Sequence, residues 1–461
     1  MVFSDLIFLF FFLPAVLLVT KLSPRRWRNA ELLLFSLLFY AWGEPVYVLL
    51  MLAVIAVNYL AGLLIARFPA DSRPLRRRLM LALAITADLA ILGWFKYAGF
   101  FAESLNRLAG KSLPVPEIVL PIGISFYIFQ SMSYVIDLYR GQVEAQRNPL
   151  LFGTYVSLFP QLIAGPIVRY RDIARQLTER EETLSAFAYG VLRFVCGLAK
   201  KVLIANQMGL LADRMLLAEA GTVSAWAGMA AYTLQIYFDF SGYSDMAIGL
   251  GRMLGFRFRE NFDHPYVSRS VTEFWTRWHM SLSSWFKEYV YIPLGGNRHG
   301  LLRQCLNLLI VWMLTGLWHG AAVNFVLWGL YYAVLLILEK LFLGRLLERL
   351  PVLVRHLVTL LIVAFGWGIF YFTDMGLWQD FAVRLFTLRP DSAEALRFAA
   401  AYAPLALVAC VAASTGPRKL LQRMRGGVLG FLEVPLLAAL FALCVAALVS
   451  QSYNPFIYFR F

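Results

Sequence analysis

Two histidines, His279 and His319, stand where a side chain of that type can do chemistry. His319 is the histidine set inside a strongly apolar run: residues 304–338 hold no Asp, Glu, Lys or Arg. An ionisable residue at membrane depth is by default a functional candidate. A neutral imidazole can take a proton from a hydroxyl as a general base, or carry a group transiently as a nucleophile. The plainer reading is a histidine satisfied by a carbonyl at a helix end near the membrane interface. A second group, Asp239, Ser241, Tyr243, Ser244 and Asp245, follows the apolar run 223–237. Two carboxylates there suit a cavity wall or a re-entrant turn; a solvated loop is the alternative. Carboxylates suit hard cations, but this spacing matches no calcium loop, and no metal site is expected.

These residues need elements to hold them. As one helix, the 35 residues of 304–338 would be about 52 Å long, against a hydrocarbon core of about 30 Å. That is too long for one straight span and short for two full ones. Gly316, Gly320, Ala321, Ala322 and Asn324 offer a break. Two spans, or one span and a half-helix, are therefore expected to meet at Trp318-His319-Gly320. Upstream, Trp275, Trp278, Leu282, Trp285 and Tyr289 recur at helical spacing. Glu273, Arg277, Ser281, Ser284, Lys287 and Glu288 fall on the other side. The pattern predicts one amphipathic helix lying in the membrane plane, anchored by its aromatics, with His279 flanking the stripe. Pro293 and Gly295-Gly296 end it.

Composition places the whole chain in a bilayer. Hydrophobic residues make up 60% and charged residues 15%, where a soluble domain has roughly 25% charged. Long apolar runs without barrel-strand alternation argue for helices. About 11 to 13 membrane segments are expected, at some 20 residues each. The run 3–20 lacks a basic leader and a small-residue cleavage site, so it reads as a span. Basic clusters at Lys21–Arg28 and Arg67–Arg78 follow the first and third spans and place the N-terminus outside. Two further runs, 118–138 and 151–168, leave the mixed-charge loop 169–182 outside, against that bias, unless one segment is re-entrant. The net charge of +14 reads as positive-inside loops and contact with anionic lipid, not as nucleic-acid binding. Cys196, Cys305, Cys410 and Cys444 show no metal spacing and no disulfide framework, and read as small buried hydrophobes.

The stretches EFWTRWHMSLSSWFKEYVYIPLGGNR and LTGLWHGAAVNFVLWG resemble the membrane-bound O-acyltransferase (MBOAT) family, in its bacterial branch around the alginate O-acetylation protein. The order of the two histidine motifs, RWH then LWHG, is that branch's signature. PIGISFYIFQSMSYVIDLYRG (121–141), LFPQLIAGPIVRYRD (158–172), YFDFSGYSDMAIGLGRMLGFRFRENFDHPY (237–266) and the terminal NPFIYFRF (454–461) agree with it. Arg460 is a departure, since glutamine is expected there.

The resemblance implies an all-α polytopic membrane protein, with broken or re-entrant helices around a central cavity. It would form one integral-membrane domain over residues 1–461, with core motifs at 121–172 and 237–338. Acyl transfer to a hydroxyl needs a base, an activated donor and oxyanion stabilisation. His319 is the expected base or acyl carrier, and His279 would assist, orient or bind the acceptor. Trp318 would shape the pocket and Asn324 donate to the oxyanion. Asp239, Tyr243, Asp245, Glu273, Arg277 and Trp278 are further substrate-binding candidates. No tightly bound cofactor is implied. Acetyl-CoA would be the cytoplasmic donor, in a bacterial inner membrane. An exported polysaccharide would be the final acceptor, reached directly or through a periplasmic SGNH-type acetyltransferase partner. A transporter or channel would instead predict inverted repeats and paired relays, which the sequence lacks. A non-catalytic scaffold for a polysaccharide synthase would not need a histidine at a helix break.

Overall fold

A computed structural model describes residues 1–68, 73–110, 112, 114–217, 221–416, 432–451 and 453–457. Arg460 and the end of the terminal motif lie outside these. Helices are the only regular elements among the described residues, and there is no strand. That is the expected outcome in lipid, where a spanning helix satisfies its own backbone. Seven described helices are long and apolar enough to cross a membrane: Tyr47–Arg67, Pro74–Ala109, Gly300–His319, Val323–Glu348, Val352–Tyr371, Ala393–Ala412 and Glu433–Ser450. Other apolar runs fold as shorter helices, as at Leu13–Leu22 and Ile124–Tyr139, or within the long helix Thr222–Met253. The chain forms two compact units, Met1–Phe194 with Met246–Arg259, and Val195–Asp245 with Glu260–Phe461.

The first unit holds α1 (Leu13–Leu22), α2 (Arg28–Gly43), α3 (Tyr47–Arg67), α4 (Pro74–Ala109), α5 (Ile124–Tyr139), α6 (Pro149–Ser157), α7 (Phe159–Leu162) and α8 (Tyr170–Ile173), and most of α9 (Leu184–Ala199). Buried Asn58 of α3 donates to Asp88 of α4 at 2.9 Å, joining two spans through polar atoms that lipid could not satisfy. The run 151–168 is not a straight span. Pro160 has no N–H for the Val156 carbonyl, and the helix stops at Ser157. Nine residues reach about 14 Å, under half the hydrocarbon thickness. The irregular backbone that follows is buried in protein, where such backbone is tolerated. Outside the spans, Glu182 gathers Lys21 at 2.8 Å and Arg28 at 2.7 Å.

The second unit carries α10 (Asn206–Leu217), α11 (Thr222–Met253) as far as Asp245, α12 (Val271–Arg277), α13 (Met280–Phe286), α14 (Gly300–His319), α15 (Val323–Leu338), α16 (Gly344–Glu348), α17 (Val352–Tyr371), α18 (Met375–Phe386), α19 (Ala393–Ala412) and α20 (Glu433–Ser450). The uncharged run breaks where its small residues allow. α14 ends on His319, Gly320 is extended, and α15 begins at Val323. The hairpin closes on glycine: a Cβ on Gly316 would lie 2.3 Å from the Phe325 carbonyl oxygen, and one on Gly329 2.5 Å from that of Trp312.

Three expectations are corrected here. The aromatic stripe does not lie on one in-plane helix. Trp278 is extended and His279 takes φ +44°, so α12 and α13 are separate short helices. Trp275, Trp278, Leu282, Trp285 and Tyr289 are buried inside protein and do not anchor in the interface. Their partners explain this: Trp275 meets Trp312, Trp328 and Tyr332 at centroid distances of 4.6–5.5 Å, and Trp278 meets Trp367 at 4.7 Å. Likewise, Asp239 to Asp245 form no re-entrant turn but sit buried on the long helix α11. Of the cysteines only Cys444 is buried, while Cys410 is exposed.

Glycine contacts make the hairpin testable. Gly316→Ala and Gly329→Ala each place a methyl against backbone and are expected to cost about 1–3 kcal/mol, as overpacking does. Gly93→Ala, where an added Cβ meets no other described residue within 4 Å outside its own helix turn, is expected to be neutral or mildly stabilising. Thermal unfolding of the three variants in detergent checks this, and equal midpoints would refute the close-packed hairpin.

Candidate active site

His319 closes α14, and its Nδ1 lies 2.7 Å from the carbonyl oxygen of Thr315, one turn back. A carbonyl only accepts, so Nδ1 carries the hydrogen. In the neutral ring, Nε2 then holds the lone pair, the arrangement a general base needs. Aromatic rings box the imidazole: Trp328 at 4.9 Å, Trp318 at 5.0 Å and Phe370 at 5.4 Å between centroids. His319 lines a small cavity of about 30 Å³, room for on the order of two water-sized groups. The other walls are Ile236, Asp239 and Phe240 of α11, Trp278, Trp367 and Phe370, and Phe456-Ile457 near the C-terminus.

His279 is held differently. It is one of two non-glycine residues at positive φ among those described, a conformation that costs roughly 1–2 kcal/mol in an L-residue. Asn261 compensates. Its Oδ1 accepts from His279 Nδ1 at 3.1 Å, from Ser281 N at 3.2 Å and from Ser281 Oγ at 2.8 Å. Its Nδ2 donates to Ser244 Oγ at 3.0 Å. Three donors around one oxygen assign the amide orientation and leave His279 with its lone pair on Nε2. That Nε2 is buried and has no hydrogen-bond partner among the described residues. His279 lies outside the seven spans. Burial, then the neighbouring His319, hold its pKa well below the usual histidine value, so it is neutral at pH 7. Its ring abuts Phe240 at 4.7 Å and Trp318 at 6.0 Å. Trp318 therefore touches both histidines.

Sequence reasoning missed the partners of the two aspartates. Lys200 and Lys201 interrupt the apolar run 192–208. They lie on the π-helical turn Lys200–Ala205 that follows α9. Lys201 Nζ is 2.6 Å from Asp239, and Lys200 Nζ is 2.7 Å from Asp245. The Lys201–Asp239 pair is buried, and a carboxylate at such depth demands a counter-charge. That demand, read together with two lysines inside an apolar run, was the usable signal. Asp239 also accepts from the backbone N–H of Ile457 at 2.8 Å, and Lys201 donates to the Pro455 carbonyl. Tyr243, one turn after Asp239, stacks on Phe456 at 4.7 Å. Asp239, Lys201 and Tyr243 thus hold the C-terminal segment that walls the cavity.

The remaining expected residues fall apart by role. Asp239, Trp278 and His319 are cavity walls, with Tyr243, His279 and Trp318 packed directly against wall residues. Asp245 pairs with Lys200. Asn324 is not among the walls, and its amide nitrogen donates to the Phe370 carbonyl at 3.0 Å, tying α15 to the end of α17. Glu273 and Arg277 pair at 3.0 Å. Glu273 also ties down the start of α12: Ser270 Oγ, the N-cap, accepts from Glu273 N, and Glu273 accepts from Arg269 N. Glu273 lines a second cavity that shares no residue with the first. No cluster of His, Cys, Asp and Glu among the described residues could hold a metal ion.

The buried pair yields a prediction. Lys201→Met leaves Asp239 uncompensated and is expected to destabilise by about 3–5 kcal/mol. Lys201→Met with Asp239→Leu removes both charges and is expected to recover more than half of that loss. Chemical unfolding measures both; a double variant no more stable than the single one would disprove the coupling.

Residues 142–378 match the family model of the MBOAT, membrane-bound O-acyltransferase family. The chain is 41% identical to the probable alginate O-acetylase AlgI of Azotobacter vinelandii, over all of both chains. It is 32% identical to the peptidoglycan O-acetyltransferase of Helicobacter pylori, over 80% of this chain and 77% of that one. It is 27% identical to the teichoic acid D-alanyltransferase of Bacillus subtilis, over 48% of this chain and 60% of that one. On the family match, the full-length identity and the apolar helices, this chain belongs to the membrane-bound O-acyltransferase family and is a multi-pass membrane acyltransferase.

Proposed function

We propose that this acyltransferase moves an acetyl group from acetyl-CoA toward O-acetylation of an exported polysaccharide. Transfer is either direct or through a periplasmic SGNH-type acetyltransferase partner. The enzyme lies in a bacterial inner membrane, with its N-terminus periplasmic. The observation that carries this reading is His319: an imidazole whose Nδ1–H is occupied by Thr315 and whose ring lines a small aromatic cavity. Two relatives are named for O-acetylation of alginate and of peptidoglycan, both glycans, which supports a polysaccharide acceptor. The D-alanyltransferase relative shows that the family's acyl groups vary. A cavity of about 30 Å³ suits a two-carbon acyl group better than a long chain. Basic clusters after the first and third apolar runs support the orientation.

In the general-base form, an acceptor hydroxyl attacks the thioester carbonyl while Nε2 of His319 takes its proton. The tetrahedral intermediate then collapses, the C–S bond breaks, and the thiolate leaves and is protonated. In the carrier form, Nε2 attacks the thioester carbonyl first, the C–S bond breaks and the thiolate leaves; the acetyl-imidazolium then passes the acetyl group to the acceptor hydroxyl, whose proton goes to the thiolate, and Nε2 regains its lone pair. His279, neutral and held by Asn261, sits on the same Trp318 ring and would orient or bind the acceptor.

The test is transfer of radiolabelled acetyl from acetyl-CoA in sealed proteoliposomes, with an extracytoplasmic extract supplied as acceptor. His319→Ala is expected to lower transfer by about 10²–10⁴-fold, the worth of a positioned base, while inserting and unfolding like wild type. Label retained on wild-type protein, labile at high pH and absent from the variant, would mark the carrier form. Equal transfer by wild type and His319→Ala would sink the assignment and move the chemistry to His279.

A further inference from the structure

We propose that the second cavity of this unit is a binding site for a phosphate group, of the kind an anionic phospholipid head group presents at the membrane surface. The cavity measures about 580 Å³. Arg269, Lys340 and Arg355 all line it. Among the described residues, none of these three side chains has an ion pair or a hydrogen-bond acceptor, and Arg355 Nε is buried without one. Three cations converging on one cavity repel each other unless something negative joins them.

The carboxylates of the same cavity do not supply that charge. Glu339 is saturated by the start of α12: it accepts from Val271 N at 2.6 Å, from Thr272 N at 2.8 Å and from Thr272 Oγ1 at 2.6 Å. Glu273 is taken by Arg277 and by the Arg269 backbone N–H. Glu348 is exposed at the rim. The acidic groups are committed to capping and pairing, and the cations are not. A phosphate oxygen accepts from both arginine and lysine, and arginine's fork suits it especially.

Position points to a lipid as its source. α14 begins, α15 ends and α17 begins beside this cavity, and consecutive packed spans bring those ends to one membrane face. The connection 339–355 carries Lys340, Arg345, Arg349 and Arg355 against Glu339 and Glu348. That excess marks a cytoplasmic face, whose leaflet is anionic. Leu308, Leu336 and Leu347 complete the lining, giving acyl chains an apolar surface below the charged head.

Native mass spectrometry of the purified full chain tests this, with phosphatidylglycerol and phosphatidylcholine of identical tails added separately. Wild type is expected to retain phosphatidylglycerol preferentially. Each cation removed should weaken that retention about fivefold, the effect of one basic residue at an anionic surface. Lys340→Gln is the safe single variant, because Lys340 is exposed. Lys340→Arg should restore retention. The combination of Arg269→Gln, Lys340→Gln and Arg355→Gln should abolish the preference. Millimolar inorganic phosphate is the second arm: displacement of the lipid together with binding of phosphate alone would identify the free anion as a sufficient ligand, and no displacement would identify the lipid. Equal retention of the two lipids by wild type, or unchanged retention in both Lys340→Gln and the triple variant, would overturn the proposal.

Discussion

The hydrogen bond from His319 Nδ1 to the Thr315 carbonyl is the contact on which the site turns. It engages the Thr315 carbonyl in the last turn of α14. It also fixes the ring and its tautomer, so that the lone pair sits on Nε2. α14 ends at His319, where Gly320 is extended. The turn back into α15 then brings Trp328 against the imidazole, while Phe370 at the end of α17 closes another side. With no water at depth to repair an unsatisfied group, each piece of this arrangement depends on the next.

Around that point the protein spends buried polarity in two ways. Lys200 and Lys201 neutralise Asp245 and Asp239, and the second pair clamps the backbone at Pro455 and Ile457. A buried ion pair is not by itself strong evidence of stability, because desolvation offsets the Coulomb attraction. Its worth here is positional: it puts Phe456 and Ile457 in the wall facing His319. Asn261 plays the second part. One carboxamide oxygen accepts three donors and so secures both the left-handed backbone of His279 and the start of α13. Strain of that kind persists only where the surroundings over-determine it.

Away from the His319 cavity, charge is left over. At the end of α15 the carboxylates of Glu339 and Glu273 are absorbed by caps and by Arg277. The basic side chains around them face open volume. The contrast between the two cavities is chemical. One is small and aromatic, suited to an acyl group; the other is larger and cationic, suited to an anion at the membrane surface.

Much of this was legible in the chain itself. The uncharged run 304–338, its length against the bilayer and its cluster of small residues were enough to put a helix break at His319, because hydrocarbon thickness and backbone satisfaction leave few alternatives. The helical class followed from composition, and the family from motif order. Periodicity misled at 271–289. A repeat of 3 and 4 describes which residues share a face, but not what that face meets, and only the packing of Trp312, Trp328 and Trp367 shows that it meets protein. Nor does periodicity register a break held by one asparagine that sits 18 positions before His279. The pairing of Lys201 with Asp239, 38 positions apart, and the return of Ile457 to Asp239, 218 positions apart, were beyond local reading for the same reason. Ion pairs and caps of this range are chosen by which helices become neighbours, and only the tertiary structure decides that.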